Sequence, residues 1–189
     1  MTNFFENESY SKLDFTSFQI QKGEYDHCTF LDCNFEGIHA SNIQFVECEF
    51  INCNFSNTIL TNTAFKEVAF KNCKLIGVKF HECDPFLLQI SFKDCQLTFT
   101  SFYQLKIAKT NFVNCNLEEA DFTETVLHDS VFKECNLENA IFENTNLEKV
   151  DFRSSFNYKF SLEQNRVKNA LFSKENVIGL LSQYKIIID

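Results

Sequence analysis

Large apolar residues recur along this chain at every fifth place, and small or β-branched residues stand two places before most of them. The series runs Phe15, Ile20, Tyr25, Phe30, Phe35, Ala40, Phe45, Phe50, Phe55, Leu60, Phe65, Phe70, Leu75, Phe80, and only Ala40 among these centres is small. After a break it resumes two residues out of step: Phe92, Leu97, Phe102, Ile107, Phe112, Leu117, Phe122, Leu127, Phe132, Leu137, Phe142, Leu147, Phe152. A period of five fits neither the 3.6 of an α-helix nor the 2.0 of a strand, so the pattern predicts a chain that turns a corner at every unit. Two places before the centres lie residues such as Cys28, Cys48, Thr58, Val68, Cys95, Thr125, Ala140 and Thr145, giving two inward positions in five. Asn, Asp, Glu, Lys and Thr fill the remaining places, as an outer surface and its turns require.

Units such as Cys-Asn-Leu-Glu-Glu (115–119), Ala-Asp-Phe-Thr-Glu (120–124), Cys-Asn-Leu-Glu-Asn (135–139) and Thr-Asn-Leu-Glu-Lys (145–149) carry the resemblance to a known family. The chain resembles the pentapeptide-repeat proteins over roughly residues 13–172. That resemblance implies an all-β fold, a right-handed quadrilateral parallel β-helix with four units to a coil. The stacking is testable from the residues themselves, because positions twenty apart must then share a wall. Phe92, Phe112, Phe132, Phe152 and Phe172 form one such column, and Phe102, Phe122 and Phe142 a second. Leu97, Leu117 and Leu137 form a third, and Ile107, Leu127, Leu147 and Val167 the fourth. About eight coils are expected, a rod roughly 40 Å long at about 4.8 Å per hydrogen-bonded chain. Each buried Phe or Leu contributes on the order of 2 kcal/mol, so a tube of this kind holds without a globular core.

Composition agrees: 24 Phe stand against no Trp, and one Pro and four Gly leave little material for a phosphate-cradling glycine loop. No apolar run is long enough for a transmembrane helix. The formal charge of -9 argues against a nucleic-acid-binding surface. The start, Met-Thr-Asn-Phe-Phe-Glu, lacks the basic and apolar segments of a secretory signal, so a cytoplasmic chain is expected, with no membrane partner.

All nine Cys fall two places before a centre, if Pro85 counts as the centre after Cys83, and are expected to be buried, reduced packing residues. No C-x-x-C pair occurs, although columns such as Cys95, Cys115 and Cys135 approach disulfide reach. His27, His39, His81 and His128 are placed outward with no exposed nucleophile beside them, so no catalysis, cofactor or metal is expected. In His81-Glu82-Cys83-Asp84, alternation sends the thiol inward and its neighbours outward, which speaks against a ligand cluster. The slip near residues 83–90 predicts a bulge or short loop, with Pro85 and Phe86 as contact residues if Phe86 is exposed.

Residues 1–12 show no clear repeat and are expected to form an N-terminal cap, and residues 173–189 a C-terminal helix and tail. Ser173 suits an N-cap, and Val177, Ile178, Leu180, Leu181 and Tyr184 give a short amphipathic α-helix followed by Ile186, Ile187 and Ile188. The end carries more apolar residues than a cap needs, which predicts a homodimer interface at Val177, Ile178, Leu180, Leu181, Tyr184, Ile186 and Ile188. Glu163-Gln164-Asn165-Arg166-Val167 together with this end is similar to one branch of the family, the Qnr-type quinolone-resistance and microcin-immunity proteins.

Ten acids lie between Glu118 and Asp151 against Lys133 and Lys149, so nearly all of the net charge sits in fewer than two coils. An acidic face of Glu118, Glu119, Asp121, Glu124, Glu138, Glu143 and Asp151 on a narrow rod suggests a DNA mimic. The Qnr-type resemblance implies a non-enzymatic dimer that binds DNA gyrase or topoisomerase IV and protects it from quinolones or peptide toxins. The chain lacks the long projecting loops of that branch. The alternative is a passive scaffold or adaptor in protein–protein interaction, whose acids only keep the tube soluble.

Overall fold

A computed structural model describes residues 3–187. β1 (Asn3–Glu6), β2 (Ser9–Ser11), β3 (Gly23–Asp26), β4 (Thr29–Leu31), β5 (Gln44–Val46) and β6 (Glu49–Ile51) begin the tube. β7 (Ala64–Lys66), β8 (Val68–Lys71), β9 (Ile90–Lys93), β10 (Asn111–Val113) and β11 (Val131–Lys133) continue it. All pairings are parallel, in a four-stranded stack β1-β3-β5-β7 and a seven-stranded stack β2-β4-β6-β8-β9-β10-β11. Register partners lie twenty residues apart, Phe30 opposite Phe50 and Phe112 opposite Phe132, so one storey consumes twenty residues. The other two walls are joined by single bridges, as in Asn34–Asn54–Lys74 and Ser101–Asp121–Ile141.

The walls can be named by their centres. The first carries Phe15 to Leu137, the second Ile20 to Phe142, the third Tyr25 to Leu147 and the fourth Phe30 to Phe152, all buried. On the fourth wall the rings of Tyr10, Phe30, Phe50, Phe70, Phe92, Phe112, Phe132, Phe152 and Phe172 form one unbroken stack. Phe112 and Phe132 are 4.7 Å apart at 5°. Rings of the second wall meet them edge to face, Phe122 against Phe132 at 5.7 Å and 88°, the favoured aromatic geometry. Ala40 has its explanation here. In the first storeys the first, third and fourth walls are aromatic, so the second wall holds Ile20, Ala40 and Leu60. Later the second wall becomes Phe80, Phe102, Phe122 and Phe142 while the first and third become Leu or Ile, which keeps the interior filled.

Most corners are turned by the residue two places after the centre, held at positive φ: Asn52 +56°, Asn72 +52°, Glu119 +57°, Asp129 +60°. Asn and Asp tolerate this left-handed conformation, which is why the tube needs few glycines. Phe99 at +58° is an unsuited residue in the same place. The residue two places before a centre does more than fill space. Its side chain donates to the backbone carbonyl of the storey below: Thr125 Oγ1 to Phe102 O at 2.8 Å, Ser155 Oγ to Phe132 O at 2.7 Å, Cys73 Sγ to Phe50 O at 3.3 Å.

Several expectations are corrected. The strand-paired tube makes about seven turns, not eight, because beyond β11 the storeys are joined by single bridges, as at Phe156, Arg166, Asp151 and Leu171, and not by paired strands. Residues 3–12, expected in a cap, already form β1 and β2 and pair with β3 and β4. Pro85 is exposed and takes no centre, although Cys83 is buried. The spacing of Phe70 opposite Phe92 confirms the two extra residues, which bulge from the third wall between Asp84 and Gln89 and end the four-stranded stack at β7.

At the far end, Val177–Tyr184 is a 3₁₀ helix, not an α-helix, and it begins after a turn rather than at Ser173. Ser173 Oγ accepts from the Asn176 N–H at 3.1 Å, and Asn176 Nδ2 donates to Ser155 O at 3.0 Å, which ties the helix to the tube. Gly179 lies against the Tyr158 carbonyl where a Cβ has no room.

Two substitutions test this packing. Phe99→Asn relieves the left-handed strain and is expected to raise stability by about 1 kcal/mol in urea unfolding, whereas an unchanged or lowered midpoint contradicts it. Tyr158 is buried, and its hydroxyl has no partner among the described residues. Tyr158→Phe should therefore stabilise by about 1 kcal/mol or more, read as a higher Tm; a loss of stability would show that the hydroxyl has a partner.

Candidate functional site

The register sorts the ten acids of residues 118–151 by wall. Glu118, Glu119 and Glu138 follow first-wall centres and stand on the corner leading to the second wall. Asp121 lies on the second wall, bridged to Ser101 and Ile141, and Glu124 and Glu143 follow its centres Phe122 and Phe142. Six acids thus share one wall and its two corners over two successive storeys. None of the six takes part in a salt bridge among the described residues. Neutral groups hold several of them instead. Gln104 Nε2 donates to Glu124 at 2.7 Å, Asn139 Nδ2 to Glu119 at 3.3 Å, and the Thr123 N–H to Asp121 at 2.9 Å. Such contacts fix the carboxylates without cancelling their charge.

The other four acids are neutralised. Asp129 lies 3.8 Å from Lys149 and 3.1 Å from His128, Glu134 4.0 Å from Lys133, Glu148 3.0 Å from Arg166, and Asp151 2.7 Å from Arg153. Hydrogen bonds from the Arg153 guanidinium hold the Asp151 carboxyl below the ordinary range. Asp151 stands on the fourth wall, across the tube, so it does not join the six with which the sequence grouped it.

One polar chain on the acidic wall escaped the sequence. His81 Nδ1 is 2.9 Å from Ser101 Oγ, which donates to Asp121 at 3.3 Å. His81 therefore does have a serine beside it, contrary to expectation, because residues twenty apart are neighbours. The order is unsuited to activating a nucleophile: the carboxylate binds the serine, whereas a triad needs it on the histidine. Among the described residues no three His, Cys, Asp or Glu side chains converge as a metal site, and no helix is long and apolar enough to cross a membrane.

The bulge presents Phe86 and Leu87, both about two-thirds exposed at 66% and 65%. Asp84 Oδ1 accepts from the Phe86 N–H at 2.9 Å and shapes the turn. Beside it runs a groove of about 750 Å³ lined by Lys66, Leu87, Leu88 and Lys109. Pro85 and Phe86 are thus together at an exposed tip.

The C-terminal end divides into two faces. Leu180 is buried and Val177 is partly buried against the core, so these two of the residues assigned to a dimer interface seat on the chain's own tube. Ile178, Tyr184, Ile186 and Ile187 face solvent, with Leu181 half-buried between the faces. The Tyr184 hydroxyl donates to Glu163 and holds that carboxyl below its usual range. Ile188 lies outside the described residues.

A family described as "Pentapeptide repeat region" matches residues 23–102, 87–156 and 105–177. No curated protein matches. Among solved structures, a trypsin-treated form of QnrB1, described as a plasmid-mediated fluoroquinolone resistance protein, aligns over 99% of this chain and 92% of its own at TM-score 0.73 and 12% identity. Full-length QnrB1 aligns over 97% of this chain and 100% of its own at TM-score 0.60 and 14% identity. HetL from the cyanobacterium Nostoc, described as involved in regulating heterocyst differentiation, aligns over 90% of this chain and 84% of its own at TM-score 0.41 and 14% identity.

Proposed function

The chain belongs to the pentapeptide-repeat family, and from that premise we propose that it is a non-catalytic, cytoplasmic protein that binds a type II topoisomerase, DNA gyrase or topoisomerase IV, in place of DNA. The observation that carries this reading is the segregation of six unpaired carboxylates onto one wall while the four on the other sides are neutralised. A groove built to bind DNA is lined with cations, and a rigid column of uncompensated acids is complementary to it. The fold shared with QnrB1 supports the same direction, because that protein is described as a fluoroquinolone resistance protein. By this reading the chain shields the enzyme from quinolones or a peptide toxin, and Pro85 and Phe86 add an apolar contact beside the acidic one. A homodimer joined through Ile178, Leu181, Tyr184 and Ile186, continued by Ile188, matches the two-fold symmetry of such an enzyme.

A gyrase supercoiling assay with ciprofloxacin, with and without the protein, should show rescue or inhibition; an unchanged reaction at saturating protein rejects the proposal. Reversal of Glu118, Glu138 and Glu143 to Lys should weaken binding at least about 100-fold, while Asp129→Asn and Asp151→Asn, which touch paired acids, should leave it within about threefold. Equal effects, or binding that is indifferent to salt, would favour the passive scaffold in which the acids only confer solubility. Light scattering should give twice the chain mass of 22.1 kDa, and Ile178→Glu should return it to one; a monomeric native protein rejects the dimer.

A further inference from the structure

Six of the nine cysteines stand on one inner corner. Cys33, Cys53, Cys73, Cys95, Cys115 and Cys135 occupy six successive storeys, all buried and free. Their register is fixed by the residues that follow them, bridged Asn34–Asn54–Lys74–Gln96–Asn116–Asn136. Main-chain bonds join the storeys directly, Lys74 N to Cys53 O at 2.9 Å and Asn116 N to Cys95 O at 3.0 Å. Packing alone does not call for sulfur here. Ser155 continues the same corner and makes a shorter bond to the carbonyl below, 2.7 Å against 3.4 Å for Cys135.

The outer side of this corner bears a groove of about 340 Å³ that reaches Cys95 and Cys115 and is lined by Asp94, Glu134 and five amides, Asn72, Gln96, Asn114, Asn116 and Asn136. Its two carboxylates and amide oxygens suit a cation approaching the thiols. We propose that the thiol column is a binding site for soft monovalent metal ions, Cu(I) or Ag(I), each held in line between the sulfurs of two successive storeys and admitted through this groove.

The dimensions favour two-coordinate ions. Stacked chains lie about 4.8 Å apart, and two metal–sulfur bonds of about 2.3 Å, the length of a zinc–thiolate bond, laid end to end span about 4.6 Å. Soft d¹⁰ ions prefer thiolate, whereas zinc requires four ligands in a tetrahedron, which one column cannot offer. Charge balances as well. One thiol releases its proton to water and bonds as thiolate, while its neighbour keeps its proton and donates a sulfur lone pair. Each filled pair is then neutral, as a dry interior demands, and no electron is transferred. Taken in order along the column, the six thiols make three such pairs, Cys33 with Cys53, Cys73 with Cys95, and Cys115 with Cys135.

The proposal is independent of any topoisomerase role. Folded protein titrated with silver nitrate in chloride-free buffer is to be counted by native mass spectrometry, with far-ultraviolet circular dichroism recorded in parallel. The protein should take about three more silver ions than a variant with all six column cysteines changed to Ser, at unchanged β signal, and no zinc. Cys28, Cys48 and Cys83 are present in both proteins and cancel in the difference. Should the six-fold variant not fold, Cys95→Ser with Cys115→Ser tests the same point, with an expected loss of about two ions. Equal silver uptake by variant and native protein, uptake only with loss of the β signal, or equal uptake of zinc would overturn it.

Discussion

The stacking of one aromatic ring on the ring twenty residues earlier constrains everything else in this molecule. A ring has two faces to cover and a thickness near the spacing of hydrogen-bonded chains, so a column of rings and a ladder of parallel strands have the same repeat. On the fourth wall nine rings satisfy both at once, with centroids 4.7 to 5.5 Å apart. Each storey must then use the same number of residues, and where the chain has two too many it expels them as the Asp84–Gln89 bulge without disturbing the other three walls. The aromatic load moves between walls along the tube, from the first and third to the second, so interior volume is conserved storey by storey.

Because the interior fixes which wall each position faces, the exterior becomes a surface with designed sides. A residue two places after a centre is always a corner, and one place before is always mid-wall. The acids of residues 118–151 are spread evenly in sequence yet unevenly in space. Those on the second wall and its corners meet amides and hydroxyls, while those elsewhere meet Lys, Arg or His. Pairing on the third and fourth walls and exposure on the second gives the rod a directional field, which a net charge of -9 alone does not describe.

Much of this was legible in the sequence because the two periods, five and twenty, are written in residue size. Phe92, Phe112 and Phe132 could be assigned to one wall without any structure. What stayed hidden needed contacts between different walls or storeys. Asp151 was grouped with the acidic face since its bidentate-like approach to Arg153, two residues on, depends on side-chain direction. His81 and Ser101 are twenty apart and therefore touch, a consequence of the period that inspection of local neighbours misses. The donor role of Cys, Thr and Ser before each centre was obscured because Val and Ala occupy equivalent places. At the C-terminus an eight-residue apolar pattern does not separate a period of 3.6 from 3.0, and the tighter helix is set by its seating on Tyr158 through Gly179.

The central claim is that twenty residues are the indivisible unit of this tube. Its most direct test is to excise residues 36–55, one full storey, and separately residues 36–57, and to compare the two proteins by far-ultraviolet circular dichroism and thermal melting. The first deletion brings Tyr25 under Phe65 and Phe30 under Phe70 in register and should retain the β spectrum and a cooperative melt. The second leaves Phe35 and Leu60 too close in sequence to span a wall, and should lose both. Two deletions that melt alike, or a longer one that is the more stable, would contradict the account.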